Sequence, residues 1–457
     1  MRGTSSEPNR RIGGAALSTR LAALSAFAFA ITLAGCGVPT ARLAAPPPDL
    51  RPPATAPPGP PADDWTTFAH DQSRTGYQPQ RIAITTQNVR RLRLRWRFQS
   101  GDGLQASPLV AGGRVYVASL HGDVRALDVR TGAVVWRVAT GELVAMTPAL
   151  ADGLLFVGDH RSGGDLIALD VRDGRILWRT PFAGGVRSEP AIAKSVVYIG
   201  ETGGDPPPCH QGGVRALRER TGALLWRWNV DDHEHEGGSV WSPVSVEGDR
   251  LFFGTGNACE SGIDAADAIV SLDASGKRQW AVSTADSIVD SDVGGGTLLV
   301  HDEAIAESKN GTLYDLDRDS GRIIWATPLG GAPGYGGFGS PSTDGTTIVA
   351  SAGFATDPTR AHGPPGGSLV GLDRRGRIVW RVHANEPVSG SVAIASGVAY
   401  TPLDAKFVAL DLRTGAQLWS YPAGQASYSS PAVVPSGVYF ANEAGEVFAF
   451  SLPENRR

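Results

Sequence analysis

Hard oxygen donors, one aromatic ring and one cation gather in this chain between residues 200 and 340. Asp205, Asn257, Asp290 and Asp292 are donors of the kind that hold a Ca²⁺-like ion. Trp241 offers a flat face on which a planar cofactor stacks. Lys309 is one of only four lysines against 38 arginines. An ammonium in such a place polarises a carbonyl oxygen and steadies developing negative charge. A carboxylate beside the ion is a general base for a hydroxyl proton. Singly, each residue has a plainer role. Gly254-Thr255-Gly256-Asn257 is also a turn after a strand, Asp290 and Asp292 are also solvated turn residues, Lys309 is also a loop cation, and Trp241 is also a packing residue. The set, in order, is what points to a site.

A repeat must position these residues. From residue 90 onward, a strand pair around a Gly turn leads to a strand ending in Ala-Leu-Asp. A Thr-Gly turn follows, and then a strand ending in Trp. Val124–Trp136, Leu166–Trp178, Leu313–Trp325 and Phe407–Trp419 show it most clearly; Val214–Trp226, Ile269–Trp280 and Leu369–Trp380 are weaker copies. Trp96, Trp136, Trp178, Trp226, Trp280, Trp325, Trp380 and Trp419 are spaced 39 to 55 residues apart, one four-stranded propeller blade per interval. The Asp accepts hydrogen bonds in the turn, the Gly supplies positive φ, and the Trp is a wedge between blades carrying one donor. Trp241 lies outside that series. Ser430 to Leu452 has three strands and no Trp, and Leu92–Phe98 is a lone strand ending in Trp96. Joined, they form an eighth blade, and the N-terminal strand closes the ring. The expected fold is all-β, an eight-bladed β-propeller spanning residues 64–457 as a monomer.

The N-terminus is an address. Arg2, Arg10, Arg11 and Arg20 precede an apolar run from Leu21 to Ala34 that ends in Leu33-Ala34-Gly35-Cys36. That tetrapeptide resembles the bacterial lipobox, which implies a signal peptide over residues 1–36 and lipidation of Cys36. Residues 37–63, with Pro46-Pro47-Pro48 and Pro57-Pro58-Gly59-Pro60-Pro61, cannot build a core and suit an extended tether. The expectation is an exported protein held to a membrane on its periplasmic or extracytoplasmic face. A net charge of −4 and a pI near 6.2 give no electrostatic case for a nucleic-acid partner.

The Ala-Leu-Asp-x-x-Thr-Gly-x-x-x-Trp unit resembles the repeat of the pyrroloquinoline quinone (PQQ) propeller superfamily. The lead-in from Asp64-Trp65-Thr66-Thr67-Phe68 to Arg74-Thr75-Gly76-Tyr77 looks like that superfamily's own. The segments between 200 and 340 resemble the active-site blades of quinoprotein alcohol dehydrogenases, including the polyvinyl alcohol branch. The resemblance implies PQQ stacked on Trp241, a Ca²⁺ or lanthanide ion held by Asn257 and Asp292, Asp290 as base and metal neighbour, and Lys309 on the quinone oxygens. It places the acidic metal ligand near Asp205, with Glu201 as a competitor, and sets Arg187 against a cofactor carboxylate. The chain lacks the adjacent cysteines that many of these enzymes place over the quinone. It also lacks a Cys-x-x-Cys-His haem site, so electrons would leave to a separate acceptor. With Cys36 lipidated, Cys209 and Cys259 remain as a disulfide pair in an oxidising setting. Asp231 to Glu236, although rich in His and acids, is expected to be a solvated loop. The alternative function is a cofactor-free scaffold, like the lipoprotein propeller of the outer-membrane β-barrel assembly machine.

Overall fold

Each repeat turn folds on its own side chains. In the first blade, Asp128 Oδ1 accepts hydrogen bonds from the Arg130 and Thr131 amides at 3.0 and 2.9 Å and from the Thr131 hydroxyl at 2.9 Å. Gly132 follows with φ +72°, a conformation open to Gly at little cost. The same carboxylate bonding recurs at Asp273, Asp317, Asp373 and Asp411.

The computed structural model describes residues 64–453 apart from 142, 204–209, 231–237, 257–264, 286–290, 331–338, 356–365, 389 and 426. These residues form eight antiparallel blades of four strands each, and Tyr77–Gln78 of the lead-in adds a fifth, parallel strand to the seventh blade beside Ala393–Ala395. The first blade runs Leu109–Ala111, Arg114–Ala118, Asp123–Asp128 and Val134–Ala139 from the axis outward. The eighth joins Arg93–Gln99 to Ala432–Val434, Gly437–Ala441 and Glu446–Ser451, so the N-terminal strand closes the ring as expected. The propeller is thereby complete within residues 64–453. Residues 1–63, including Cys36, lie outside the described residues.

The repeat tryptophan does not end its strand. It is the third or fourth residue, and the strand continues past it: Ala126 pairs with Trp136, Arg125 with Arg137 and Val124 with Val138. A β-bulge just before the Trp leaves Val135 without a partner and turns the indole toward the next blade. There each indole Nε1–H donates to a turn carbonyl: Trp96 to Val129 at 3.1 Å, Trp136 to Val171 at 2.9 Å, Trp178 to Glu219 at 3.0 Å, Trp280 to Arg318 at 3.0 Å. The ring lies on the turn glycine, where a Cβ on Gly132 would come within 2.7 Å of Trp96. Trp419 faces the closing blade, where no such turn exists; it packs edge-on against Phe450 instead.

Antiparallel order gives the ring two ends. Turns joining first to second and third to fourth strands lie at one, the turn end. Connections between blades, and those joining second to third strands, lie at the other, the site end. The lead-in closes the central channel. Trp65 bridges Val110, and Thr66, Gln72, Ser73, Thr75 and Gly76 accept hydrogen bonds from the amides of Leu150, Val246, Leu299, Thr343 and Ile394. The Gln72 side chain takes the Ile192 amide, and that of Gln78 reaches the Val433 carbonyl. Every innermost strand is touched in turn, each at its second residue. Arg74 sits buried in the middle, donating to the Val244 and Pro190 carbonyls from two blades.

Candidate active site

Three of the residues singled out meet at the site end, on three separate connections. Trp241 precedes the innermost strand of the fourth blade, Ser245–Glu247. Asp292 lies between the fourth and fifth blades, and Lys309 follows Glu303–Ser308, the second strand of the fifth. The Lys309 ammonium donates to Asp292 Oδ2 at 2.7 Å and stands 5.0 Å from the centroid of the Trp241 ring. The Lys309 amide also donates to the Asp292 carbonyl at 2.8 Å. Asp292 is 1 % exposed and Lys309 8 %, so the pair sits where water screens it little.

The surrounding backbone holds this group rigidly. Ser308 and Thr284 hydroxyls donate to the Ser291 carbonyl at 2.8 and 3.0 Å, and the Val293 amide donates to the Thr255 carbonyl at 3.1 Å. Two glycines make room. A Cβ on Gly294 would lie 1.7 Å from Trp241 Cη2, and one on Gly256 would lie 2.1 Å from Asp292 Oδ1. The chain spends its smallest residues where Trp241 and Asp292 need close backbone.

Glu201, the acidic competitor, lies in the third blade among arginines. Glu201 is fully buried, and its oxygens accept from Arg215 at 2.8 and 2.6 Å, from the Ala183 amide at 3.1 Å, and pair with Arg227 at 3.2 Å. It is a structural ion pair inside the third blade. Asp205 lies outside the described residues, as do Asn257, Asp290, Cys209, Cys259 and the 231–236 run. Arg187 is on the connection into the third blade, where its Nε donates to the His160 carbonyl at 3.2 Å rather than meeting Trp241 or Lys309. Burial, with Arg187 adding to it, holds His160 down to about 4, so it is neutral near pH 7.

Sequence reasoning missed the ring around the channel. The Gly296, Ser340, Ser391, Ser430 and Ser107 amides each donate to the hydroxyl one blade on, those of Ser340, Ser391, Ser430, Ser107 and Thr147. At the third blade the hydroxyl becomes Glu189, whose carboxyl burial pushes up to about 7 against the pull of Arg74. At the fourth, Ser242 turns back to the Gly254 carbonyl of its own blade at 2.9 Å. The ring is thus interrupted at the third and fourth blades, and the Trp241, Asp292 and Lys309 cluster belongs to the fourth and fifth. Its signal was a Ser or Thr before Pro at the start of five of the eight blades, the others beginning Glu189-Pro190, Gly296-Thr297 and Ser391-Val392.

With the geometry set out, the relatives can be placed. Residues 88–327 and 309–456 match the PQQ_2 family model, described as outer membrane protein assembly factor BamB. The chain belongs to this family. It is 24% identical over 446 residues to a polyvinylalcohol dehydrogenase of Sphingopyxis sp. (strain 113P3), covering 79% of this chain and 67% of the relative. The fold matches a europium-containing methanol dehydrogenase with a TM-score of 0.71 at 19% identity, covering 86% of this chain and 98% of that one. It also matches BamB from Moraxella catarrhalis with a TM-score of 0.60 at 18% identity, covering 80% and 99%.

The described residues fit a planar quinone. A half-buried aromatic face is backed by glycine, and a cation stands above it, fixed by a carboxylate. A propeller blade needs none of these to pack, since its own tryptophan already fills the interface.

Proposed function

We propose that this PQQ_2 propeller is an exported, lipid-anchored oxidoreductase that oxidises an alcohol or polyol with PQQ and a Ca²⁺ or lanthanide ion. The observation that carries the reading is the Trp241–Lys309–Asp292 cluster, built from three connections on two adjacent blades. The similarity to polyvinylalcohol dehydrogenase over most of the chain supports it.

Trp241 supplies the stacking face and Lys309 a cation for the quinone oxygens, held in direction by Asp292. Asp205, Asn257 and Asp292 supply oxygen donors for the ion, and Asp290 takes the hydroxyl proton of the substrate. Bound there, PQQ supplies the hydride acceptor, and the ion polarises its carbonyl. Electrons taken up there would leave to a separate acceptor.

The test is reconstitution of residues 64–457 with PQQ and either Ca²⁺ or La³⁺, followed by quinone absorbance and dye reduction over a panel of alcohols and polyols. Tight PQQ binding with turnover lost in Asp290→Ala is the expected result. Absence of PQQ binding with both ions would sink the proposal. A second reading, a cofactor-free scaffold, is favoured by the description of the family model and by the likeness to BamB. That failure would leave it standing.

A further inference from the structure

The turn end carries the exposed apolar surface of this protein. Ten of the eleven large hydrophobic side chains that stand exposed among the described residues are the first or second residue of an outermost strand. They come mostly in pairs, such as Val134-Val135, Leu224-Leu225 and Ile323-Ile324, with Leu224 reaching 55 % exposure. Six of the eight blades contribute, so the residues form a belt around the rim. Solvent-facing positions on a monomer have no need of aliphatic pairs repeated at one level.

Positive charge runs alongside. The seven turns between third and fourth strands hold eleven Lys and Arg against three Asp and Glu. The turns between first and second strands, nearer the axis, hold one Lys and four Asp, so the cations form the rim. Arg90, Arg91 and Arg93, all exposed, lead into the outermost strand of the eighth blade. Six repeat aspartates stand at the same level and accept from turn amides, which narrows the excess of cations without reversing it.

The chain leaves the propeller at this same end. Asp64 Oδ1 accepts the amide of Gly112, in the turn between the first two strands of the first blade. Asp64, the first described residue, therefore lies at the turn end.

We propose that the turn end is a docking surface for an anionic phospholipid bilayer, with the aliphatic belt entering the headgroup region and the arginines meeting the phosphates. Arginine and aliphatic side chains together are the chemistry of interfacial binding. A second copy of the chain fits the belt less well. One member of each pair sits on a bulge with no cross-strand partner, as Val135 and Leu177 do, and bulged edges resist strand addition. The orientation rests on the anchored reading given above: the tether holds the turn end down, and the site end faces away from the membrane.

Residues 64–457 form a closed ring and carry neither tether nor Cys36, so vesicle binding by this propeller is independent of any lipid anchor. Co-sedimentation is measured with vesicles of equal parts phosphatidylcholine and phosphatidylglycerol and with phosphatidylcholine alone. Binding only to the anionic vesicles, falling about tenfold or more in high salt, is expected. Reversing three exposed cations, Arg130→Glu with Arg175→Glu and Arg413→Glu, should remove about tenfold or more. Converting Val134, Val135, Leu224 and Leu225 to Ser should weaken binding several-fold with circular dichroism unchanged. No binding, equal binding to both vesicles, or indifference to both variant sets would overturn the proposal. So would self-association without vesicles that the serine variant abolishes, which would assign the belt to a second copy. The mass of the mature N-terminus of the full chain tests lipidation of Cys36 separately. An unmodified Cys36 with vesicle binding intact would end the anchored reading and leave the surface.

Discussion

The two ends of the ring are built under different rules. At the turn end, the same latch is repeated: an indole laid on a glycine and hydrogen-bonded to a turn carbonyl of the next blade. At the site end, the hydroxyl ring that links neighbouring blades is interrupted at the third and fourth, and on the fourth and fifth a tryptophan, a lysine and an aspartate contact one another. Stability is spread over many equivalent latches, which frees a few connections to hold groups the fold does not need. Repeat architectures allow this because each blade contacts only its neighbours.

The comparison is broken most directly by treating the tryptophans alike. Trp136→Ala removes a buried latch and should cost about 3–5 kcal/mol of stability in urea or thermal unfolding. A smaller effect of opposite sign is expected at Asp315. Seven blades place Ala, Ser or Gly opposite the latch tryptophan, but the fifth places Asp315 opposite Trp325. Burial, with Glu303 adding to it, pushes its carboxyl up to about 8. Its native pKa lies above its unfolded one, so stability is greatest at low pH and falls as pH rises from about 4 to 8. Asp315→Ala should gain about 1–3 kcal/mol above pH 8 and nothing below pH 4, read from melting across pH. The smallest effect belongs to Trp241→Ala, a half-buried ring outside the latch series. It should change stability by about 1 kcal/mol or less while abolishing PQQ binding. A loss as large as that of Trp136→Ala would make Trp241 a packing residue.

The fold was legible because its strongest signal is periodic. Tryptophans 39 to 55 residues apart announced the blades, and the unpaired strand around Trp96 announced the closure. Trp241 stood out because it broke the series. Glu201 was harder. Its partners Arg215 and Arg227 lie one and two strands further out, and only strand register brings them together. The circuit of the lead-in was invisible for a different reason: most of its bonds run from backbone to backbone, which leaves no mark on side-chain choice. Asp315 was visible as a break in Ala-Leu-Asp and went unread, since a polar residue in one repeat looks like drift until its burial is known.

The lead-in also sets an order of events. Residues 64–78 are made before any blade, yet the last of their partners, Val433, is made near the end of the chain. Arg74 finds its acceptors only when the third and fourth blades stand side by side. The earliest-made segment of the propeller can therefore complete its contacts only when the last blade is present. A truncated or misthreaded product leaves that segment unsatisfied and open to proteases, a built-in mark of incomplete assembly.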